Sequence, residues 1–390
     1  MMSEEREAIV VQAKRTAVGK VGGALCEVNV EVLAATVLTE LITKSALDPI
    51  LVDNVVLGNV IGPGGNVARL SLLAAGLPLH VPGYTVDMQC GSGLQAIHLA
   101  AQAIRSGHGK TYLAGGVESS SRAPWKLEKP RQMYREMPQV YPRARFAPEH
   151  IGDPDMGIAA ENVARKFGVT REMQDEWALM SHQRAVAAQE AGKCTVEIVP
   201  VPLGAKQMCT EDEGPRKTTT IEKLGCLQPV FLDGGTVTAG NACGINDGAS
   251  AVLLLAKSLA RELGYTEGLR YVDSVVVGVD PNYLGAGPIP AVEQLLHRCG
   301  KVIGDIDLIE FNEAFAAQVV ACVGTLALPI DRVNVNGGAI ALGHPYGASG
   351  AMLVTHLFHE IMRRGGRFGL TTMGVGGGLG VATLWEWVKL

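Results

Sequence analysis

Two stretches of this chain, 257 residues apart, share one plan. Gly91-Ser92-Gly93 opens a run in which Leu94, Ile97, Leu99, Ala100 and Ile104 recur at roughly helical spacing. Gly107 and Gly109 follow, then the apolar segment 111–114 and Gly115-Gly116. Ala348-Ser349-Gly350 opens a second such run, followed by Gly365-Gly366, the apolar segment 368–373 and another glycine run. At the constant offset, Ile104 falls on Ile361 and Gly109 on Gly366. The chain therefore reads as two copies of one α/β unit. Strands at 8–12 and 54–59, and helices at 32–44 and 66–75 with Gly76 as a stop, complete a βαβα order. That order predicts an α/β sheet covered on both faces.

Residues 119–242 fit neither copy and read as an insertion. From Arg122 to Arg145 they carry seven basic residues and two acidic ones, in a chain whose net charge is −5. Such a run is a solvated face, a subunit contact or a surface for a phosphate-bearing ligand. The overall charge gives no pull toward nucleic acid or anionic membrane, and no apolar run is long enough to span a bilayer. The acidic amino terminus lacks the layout of a signal peptide. The eight cysteines include no CxxC pair and no zinc spacing, so no metal is expected. Scattered thiols fit a reducing compartment, and the cytoplasm is the expected location.

One cysteine stands apart. Cys90 follows the extended-looking run 84–88 and precedes a helix, where free backbone N–H groups and the helix dipole favour an anion. A thiolate is such an anion and is the nucleophilic form of cysteine. His344 sits in the glycine-rich turn 336–350, directed by Pro345. Asn312 and Glu313 come after an apolar strand at 306–309 and are read as opening a helix. Asn312 is then either its cap or an amide that orients a water or a substrate oxygen. The run Met373-Gly374-Val375-Gly376-Gly377-Gly378 exposes backbone N–H groups and lacks the lysine of a P-loop.

With CGSGLQAI at 90–97, AGGVESSS at 114–121, VTAGNACGINDGA at 237–249, NEAFAAQ at 312–318, NGGAIALGHPYGASG at 336–350 and GVGGGLG at 374–380, the chain resembles the thiolase family over nearly its whole length. The resemblance implies a thiolase-like α/β fold: two similar halves packed as a layered αβαβα core with an inserted loop domain. The halves are 1–118 plus 243–262 and 263–390, and the insertion is 119–242. It implies an acyl-CoA acyltransferase working through an acyl-cysteine, with no tightly bound cofactor and coenzyme A or acyl-CoA as substrate. Cys90 is then the nucleophile and His344 the histidine that activates it. Asn312 holds a water and shares one oxyanion site with His344, and the N–H groups of Cys90 and Gly376 form the other. Met156, Arg216, Cys243, Ala314 and Phe315 fall at coenzyme A-contacting positions. A homodimer or homotetramer is the family expectation.

The pattern breaks at four places. Gly374 stands where the family has a second cysteine, which handles the α-proton of the attacking acyl-CoA. Loss of a general base is worth about 10²–10⁴ in rate. The glycine leaves an acyltransferase or hydrolase that uses water or another acceptor, or a site with a different base such as a water in the vacated space, or a deliberate substitution that traps an intermediate. A protein that only binds acyl-CoA is the non-enzymatic reading. Asp87 replaces an asparagine and, ionised nearby, opposes thiolate formation. Cys243 replaces a serine, and Asp155 stands at a position often histidine.

Overall fold

The computed structural model describes residues 4–45, 47–141, 143–204 and 207–390. Its main sheet has ten strands: β1 (Ala8–Arg15), β2 (Gly19–Lys20), β3 (Asn54–Gly58), β4 (Gly83–Val86), β5 (Thr111–Ser119), β6 (Asn246–Ala256), β7 (Glu267–Gly278), β8 (Leu308–Phe311), β9 (Phe368–Val375) and β10 (Leu379–Lys389). The order is β8-β9-β10-β7-β1-β6-β5-β3-β4, with β2 against β6. The repeat is visible in this order. β5 lies between parallel β3 and antiparallel β6, and β9 lies likewise between parallel β8 and antiparallel β10. The first residues of β5 and β9, Thr111 and Phe368, keep the offset seen in the sequence.

The principal helices are α1 (Val30–Ser45), α2 (Val67–Ala74), α3 (Ser92–Ser106), α4 (Met156–Phe167), α5 (Arg171–Glu190), α6 (Pro288–Cys299), α7 (Ala316–Thr325) and α8 (Tyr346–Arg364). Strand residues alternate between two cores because successive side chains leave opposite faces. Ile9, Val55, Leu253 and Leu255 pack with Leu33 and Leu38 of α1 and Leu72 of α2. Val10, Val56 and Leu254 face the other way, onto Leu94 and Ile97 of α3 and Val354 and Leu357 of α8. That same central core takes Met373, Val375, Val381 and Trp385 from the second half. The second half turns Phe311, Leu370 and Leu384 toward α6 and α7. The result is helix, sheet, helix, sheet, helix. α8 lies in the middle layer and buries 15 of its 19 residues, as a helix enclosed on all sides must.

Between β5 and β6 the described residues add nothing to the main sheet. Buried ions fasten this stretch to the core. The Arg15 guanidinium, fully buried, donates to Asp212 (2.7 and 2.9 Å) and Glu197 (3.0 Å).

The turns differ from the sequence reading at one functional point. The helix after β8 starts at Ala316 with Phe315 in the cap position, so Asn312 neither caps nor opens it. Residues 312–315 form a separate turn, and the Asn312 N–H donates to Thr372 O (3.1 Å).

α3 and α8 cross at their N-termini with backbone against backbone. A Cβ on Gly93 would lie 2.5 Å from Gly347 O, one on Gly350 2.5 Å from Leu94 N, and one on Gly116 1.8 Å from Gly347 O. None of these neighbours is a side chain that can swing away. Gly116→Ala is therefore expected to cost about 3 kcal/mol or more, the upper range for forced overpacking, or to prevent folding. Gly225→Ala, at a helical glycine with open space around it, is expected to be neutral or slightly stabilising. Denaturant melts of the two variants check the contrast.

Candidate active site

Cys90 ends a tight turn that its neighbours hold. Gln89 sits at φ +48°, a left-handed conformation that costs a non-glycine residue of order 1–3 kcal/mol. Ser92 fixes the turn. Its Oγ accepts from Met88 N (2.8 Å) and donates to Gln89 O (2.5 Å). Gly91 N donates to Met88 O (3.0 Å). Asp87 is turned to the backbone and accepts from Gln89 N (2.9 Å). The loop after β9 packs on this turn: a Cβ on Gly91 would lie 3.0 Å from the Val375 side chain, and one on Gly376 3.4 Å from that of Gln89; the N–H groups of Gly376 and Cys90 favour the thiolate. Burial pushes the thiol up to about 11; those two N–H groups pull it down, and Glu118 and Asp87 add smaller upward pushes.

His344 immediately precedes α8, so the helix crossing that brings Gly93 onto Gly347 also brings its turn to the nucleophile's turn. Its N–H donates to Asn246 Oδ1 (2.9 Å). Nδ1 lies 2.6 Å from Ser349 Oγ, and that hydroxyl donates to Pro345 O (3.1 Å). The serine proton is thus committed, and we place the ring proton on Nδ1. Nε2 is left as a buried lone pair without a partner. Burial lowers the imidazole to about 4, which keeps it a neutral base at physiological pH.

The Asn312 amide nitrogen is also buried and unpartnered. Asn312, Ser349, Glu310 and His356 border a cavity of about 20 Å³, room for a single water. Glu313 is committed to structure: its carboxyl accepts from Trp177 Nε1 (3.1 Å), Ser181 Oγ (2.7 Å) and Asn334 Nδ2 (2.7 Å). Glu118, at the end of β5, accepts from Gly347 N (3.0 Å) in the first turn of α8 and from Val60 N and Ile61 N (3.1 Å each). Burial nevertheless raises it to about 7.

The glycine run comes directly after β9. Gly377 and Gly378 lie at φ +85° and +80°, where glycine is the natural residue. A Cβ on Gly376 would come within 3.3 Å of the Phe146 ring, which the intervening stretch lays over this loop. Gly374 has an ordinary backbone. A Cβ there would meet Gln318 Nε2 at 2.9 Å, with Leu284 O at 3.2 Å. That amide nitrogen is buried and unpartnered, so a hydrogen-bond donor that does not titrate points toward position 374.

Of the substrate-contact candidates, four share one wall. Cys243 N donates to Ala314 O (3.0 Å), and Ala242 bridges to Phe315. Phe315 meets Phe231 edge-on, with centroids 6.2 Å apart, and the Phe231 ring covers Gly157, next to Met156 at the start of α4. Arg216 is exposed, and its N–H donates to His182 Nδ1 (3.3 Å). Asp155 accepts from Arg143 Nε (3.1 Å).

Sequence reasoning missed Ser92 and Ser349 as supports, and Phe146, Phe231, Gln318 and Tyr346 as walls. Tyr346 packs edge-on against His344, with centroids 5.1 Å apart. Burial raises its phenol, and the sulfurs of Cys243 and Cys90 add to the shift. Tyr346 lies inside the GHPYGASG segment that the sequence analysis singled out. Phe146 and Phe231 gave no signal, because they lie in aperiodic sequence.

Fold and site together define a thioester-handling enzyme class, and comparison with known proteins identifies it. The thiolase N-terminal domain matches residues 8–258 and the thiolase C-terminal domain residues 265–387. The chain belongs to the thiolase family. It is 47% identical over 383 residues to a Staphylococcus epidermidis protein named "Putative acetyl-CoA C-acetyltransferase VraB", covering 98% of both chains. It superposes on the crystal structure of the Bacillus anthracis acetyl-CoA acetyltransferase with a TM-score of 0.93 and 40% identity, covering 98% of this chain and 99% of that one. It superposes equally well, at 0.93 and 38% identity, on human mitochondrial 3-ketoacyl-CoA thiolase in complex with CoA, covering 99% of each. Among the described residues no His/Cys/Asp/Glu cluster has metal-binding geometry, and no helix is long and apolar enough to cross a membrane.

Burial, the largest cause of the upward shift at Cys90, sets its pH response. Its alkylation by iodoacetamide, tracked on the Cys90 peptide by mass spectrometry, is expected to keep accelerating past pH 9, toward about 11. A free thiol levels off near 8.5. A plateau below pH 8 would mean a preformed thiolate–imidazolium pair.

Proposed function

We propose that this protein is an acyl-CoA acyltransferase of the acetyl-CoA C-acyltransferase type, acting through an acyl-Cys90 intermediate. The observation that carries the reading is the packing of the Val375–Gly376 loop against the Cys90 turn, at a helix crossing that also brings in the turn of the neutral His344. His344 Nε2 accepts the thiol proton as the sulfur attacks the thioester carbon. The tetrahedral oxyanion is met by fixed N–H donors, each worth roughly 3–4 kcal/mol in such sites. Coenzyme A leaves, and the acyl group remains on sulfur. His344 with a water held by Asn312 serves the second acyl-CoA. Phe315, Phe231 and Met156 line its approach.

Gly374 limits the carbon–carbon bond-forming half of the reaction. It supplies no thiol for the α-proton, a deficit of about 10²–10⁴ in rate, or roughly 3–5 kcal/mol. The same glycine favours a second reading, a hydrolase or acyl transfer to another acceptor, in which water or that acceptor resolves the acyl-enzyme. The protein is proposed to act in the cytoplasm as a homodimer or homotetramer, with halves 1–118 plus 243–262 and 263–390.

Incubation with acetyl-CoA is expected to add one acetyl group to Cys90, seen by mass spectrometry, and to leave a Cys90→Ala variant unmodified. Gly374→Cys, for which the Gln318 side chain must swing aside and Leu284 O give slightly, is expected to raise acetoacetyl-CoA cleavage by at least tenfold. An unmodified Cys90 with every acyl-CoA length excludes the covalent mechanism. Coenzyme A released at the same rate with and without an acceptor favours the hydrolase.

A further inference from the structure

A cleft of about 550 Å³ lies far from the candidate active site. α3 begins beside Cys90 and ends by Arg105, and β9 runs from Phe368 to Val375, next to Gly376. At about 1.5 Å per helical residue and about 3.3 Å per strand residue, each element carries the chain roughly 20 Å from one place to the other. Strand pairing builds one wall. Arg270 of β7 stands opposite Glu386 of β10, which stands opposite Phe368 of β9, so the three form a row on one face of the sheet. Arg105 comes from the end of α3, Arg298 and Lys301 from the end of α6 and just beyond it, and Arg367 from the position before β9.

Five cations thus face two carboxylates, Asp273 and Glu386, around one hollow, in a chain whose net charge is −5. Both carboxylates are engaged. Asp273 pairs with Arg298 (2.8 Å), and Glu386 is shared between Arg270 and Arg367. Glu7 also binds Arg270, but Lys257 claims it too. Arg105 instead donates to Val272 O (3.0 Å), and Lys301 Nζ lies 4.0 Å from the centre of the Phe368 ring. Neither contact is with a carboxylate, so these two charges stay uncompensated among the described residues. Arg367 reaches the same ring, with its Cζ 4.9 Å from the centre. Like charges gathered at one ring repel until an anion bridges them. A helix C-terminus favours a basic residue, which accounts for Arg105 and Arg298 singly. It does not bring Arg270 and Arg367 to the same hollow, and the two helix ends together offset only about one positive charge.

We propose that this cleft is a second ligand site, for a small molecule that carries a chain of two or more phosphates. Concave walls of one charge focus the field on an anion. The guanidinium forks of the arginines match phosphate oxygens, and cations arriving from several elements suit an anion whose charge is spread over several groups. The cleft has the size of small-molecule sites, about 300–1,000 Å³, and a single phosphate leaves most of it empty. The chain is either a free polyphosphate or the tail of a nucleoside triphosphate. Occupation of the cleft does not depend on the acyltransferase chemistry proposed above.

The test is equilibrium dialysis of the full-length protein against inorganic tripolyphosphate and, separately, against ATP, with a chelator present to remove divalent cations. Arg105→Gln/Lys301→Gln removes the two uncompensated charges. Lys126→Gln/Arg131→Gln removes as much charge from the exposed basic stretch and serves as the control. Wild type is expected to retain one equivalent of at least one probe. Its affinity is expected to fall at least tenfold in Arg105→Gln/Lys301→Gln and less than twofold in the control. Equal affinity for the two probes assigns the site to the phosphate chain itself, and ATP binding at least tenfold tighter assigns it to a nucleoside triphosphate. Retention of neither probe at millimolar concentration overturns the proposal. So does an equal loss in the control, which would mean general charge attraction, and so does unchanged affinity in Arg105→Gln/Lys301→Gln, which would place the probe elsewhere. Circular dichroism checks the fold. If the double variant does not fold, Lys301→Gln alone carries the test, with at least a threefold loss expected and an unchanged affinity overturning the assignment.

Discussion

The crossing of two helix N-termini, backbone against backbone, is the constraint on which this molecule depends. Gly93 and Gly350 leave no room for a side chain between α3 and α8, and Gly116 brings β5 against Gly347. Each helix belongs to a different copy of the repeated unit, and each is preceded by a candidate catalytic residue. Close packing of the halves and assembly of the site are therefore one event. Glu118 reinforces it by carrying a carboxylate from β5 to the N–H of Gly347, where the helix dipole adds to the hydrogen bond.

The second governing feature is dryness. Cys90 and Cys243 are shifted upward, and His344 downward, with burial the largest cause each time. All three favour their neutral forms because removal from water penalises charge. In the reaction proposed above, fixed donors would meet the negative oxygen, and no resting ion pair is required. Such donors need no reorientation during the reaction and gain strength as water is excluded. Asp87 shows the same economy of charge, since its carboxylate is engaged by the Gln89 N–H.

The sequence revealed the parts of the fold that repeat. Periodicity located α3, α8, β5 and β9, and the spacing between copies carried over to the strand starts without change. Glycines marked the crossing because only they permit it. Cys90 and His344 stood out as candidates for the same reason, each framed by residues with special backbone needs. Asn312 was misread as opening a helix, since Asn-Glu after a strand looks like a cap; the turn through Phe315 intervenes because Glu313 is drawn inward to Trp177, Ser181 and Asn334. Phe146 and Phe231 reach the site from a stretch held by buried ions such as Arg15 and Asp212, and long-range pairs of that kind leave no local pattern.

A cysteine kept protonated by burial is slow to react with oxidants and electrophiles, which attack the thiolate. Burial is the largest cause of the upward shift at both Cys90 and Cys243, whereas an electropositive cleft would lower such thiols and invite damage. Here the surroundings that make ionisation hard also make the idle protein chemically quiet. In the proposed mechanism a substrate thioester, with His344 as base, is the reagent for which that quiet would be broken. If Cys90 is the nucleophile proposed above, the burial that raises it also acts as its safeguard between turnovers.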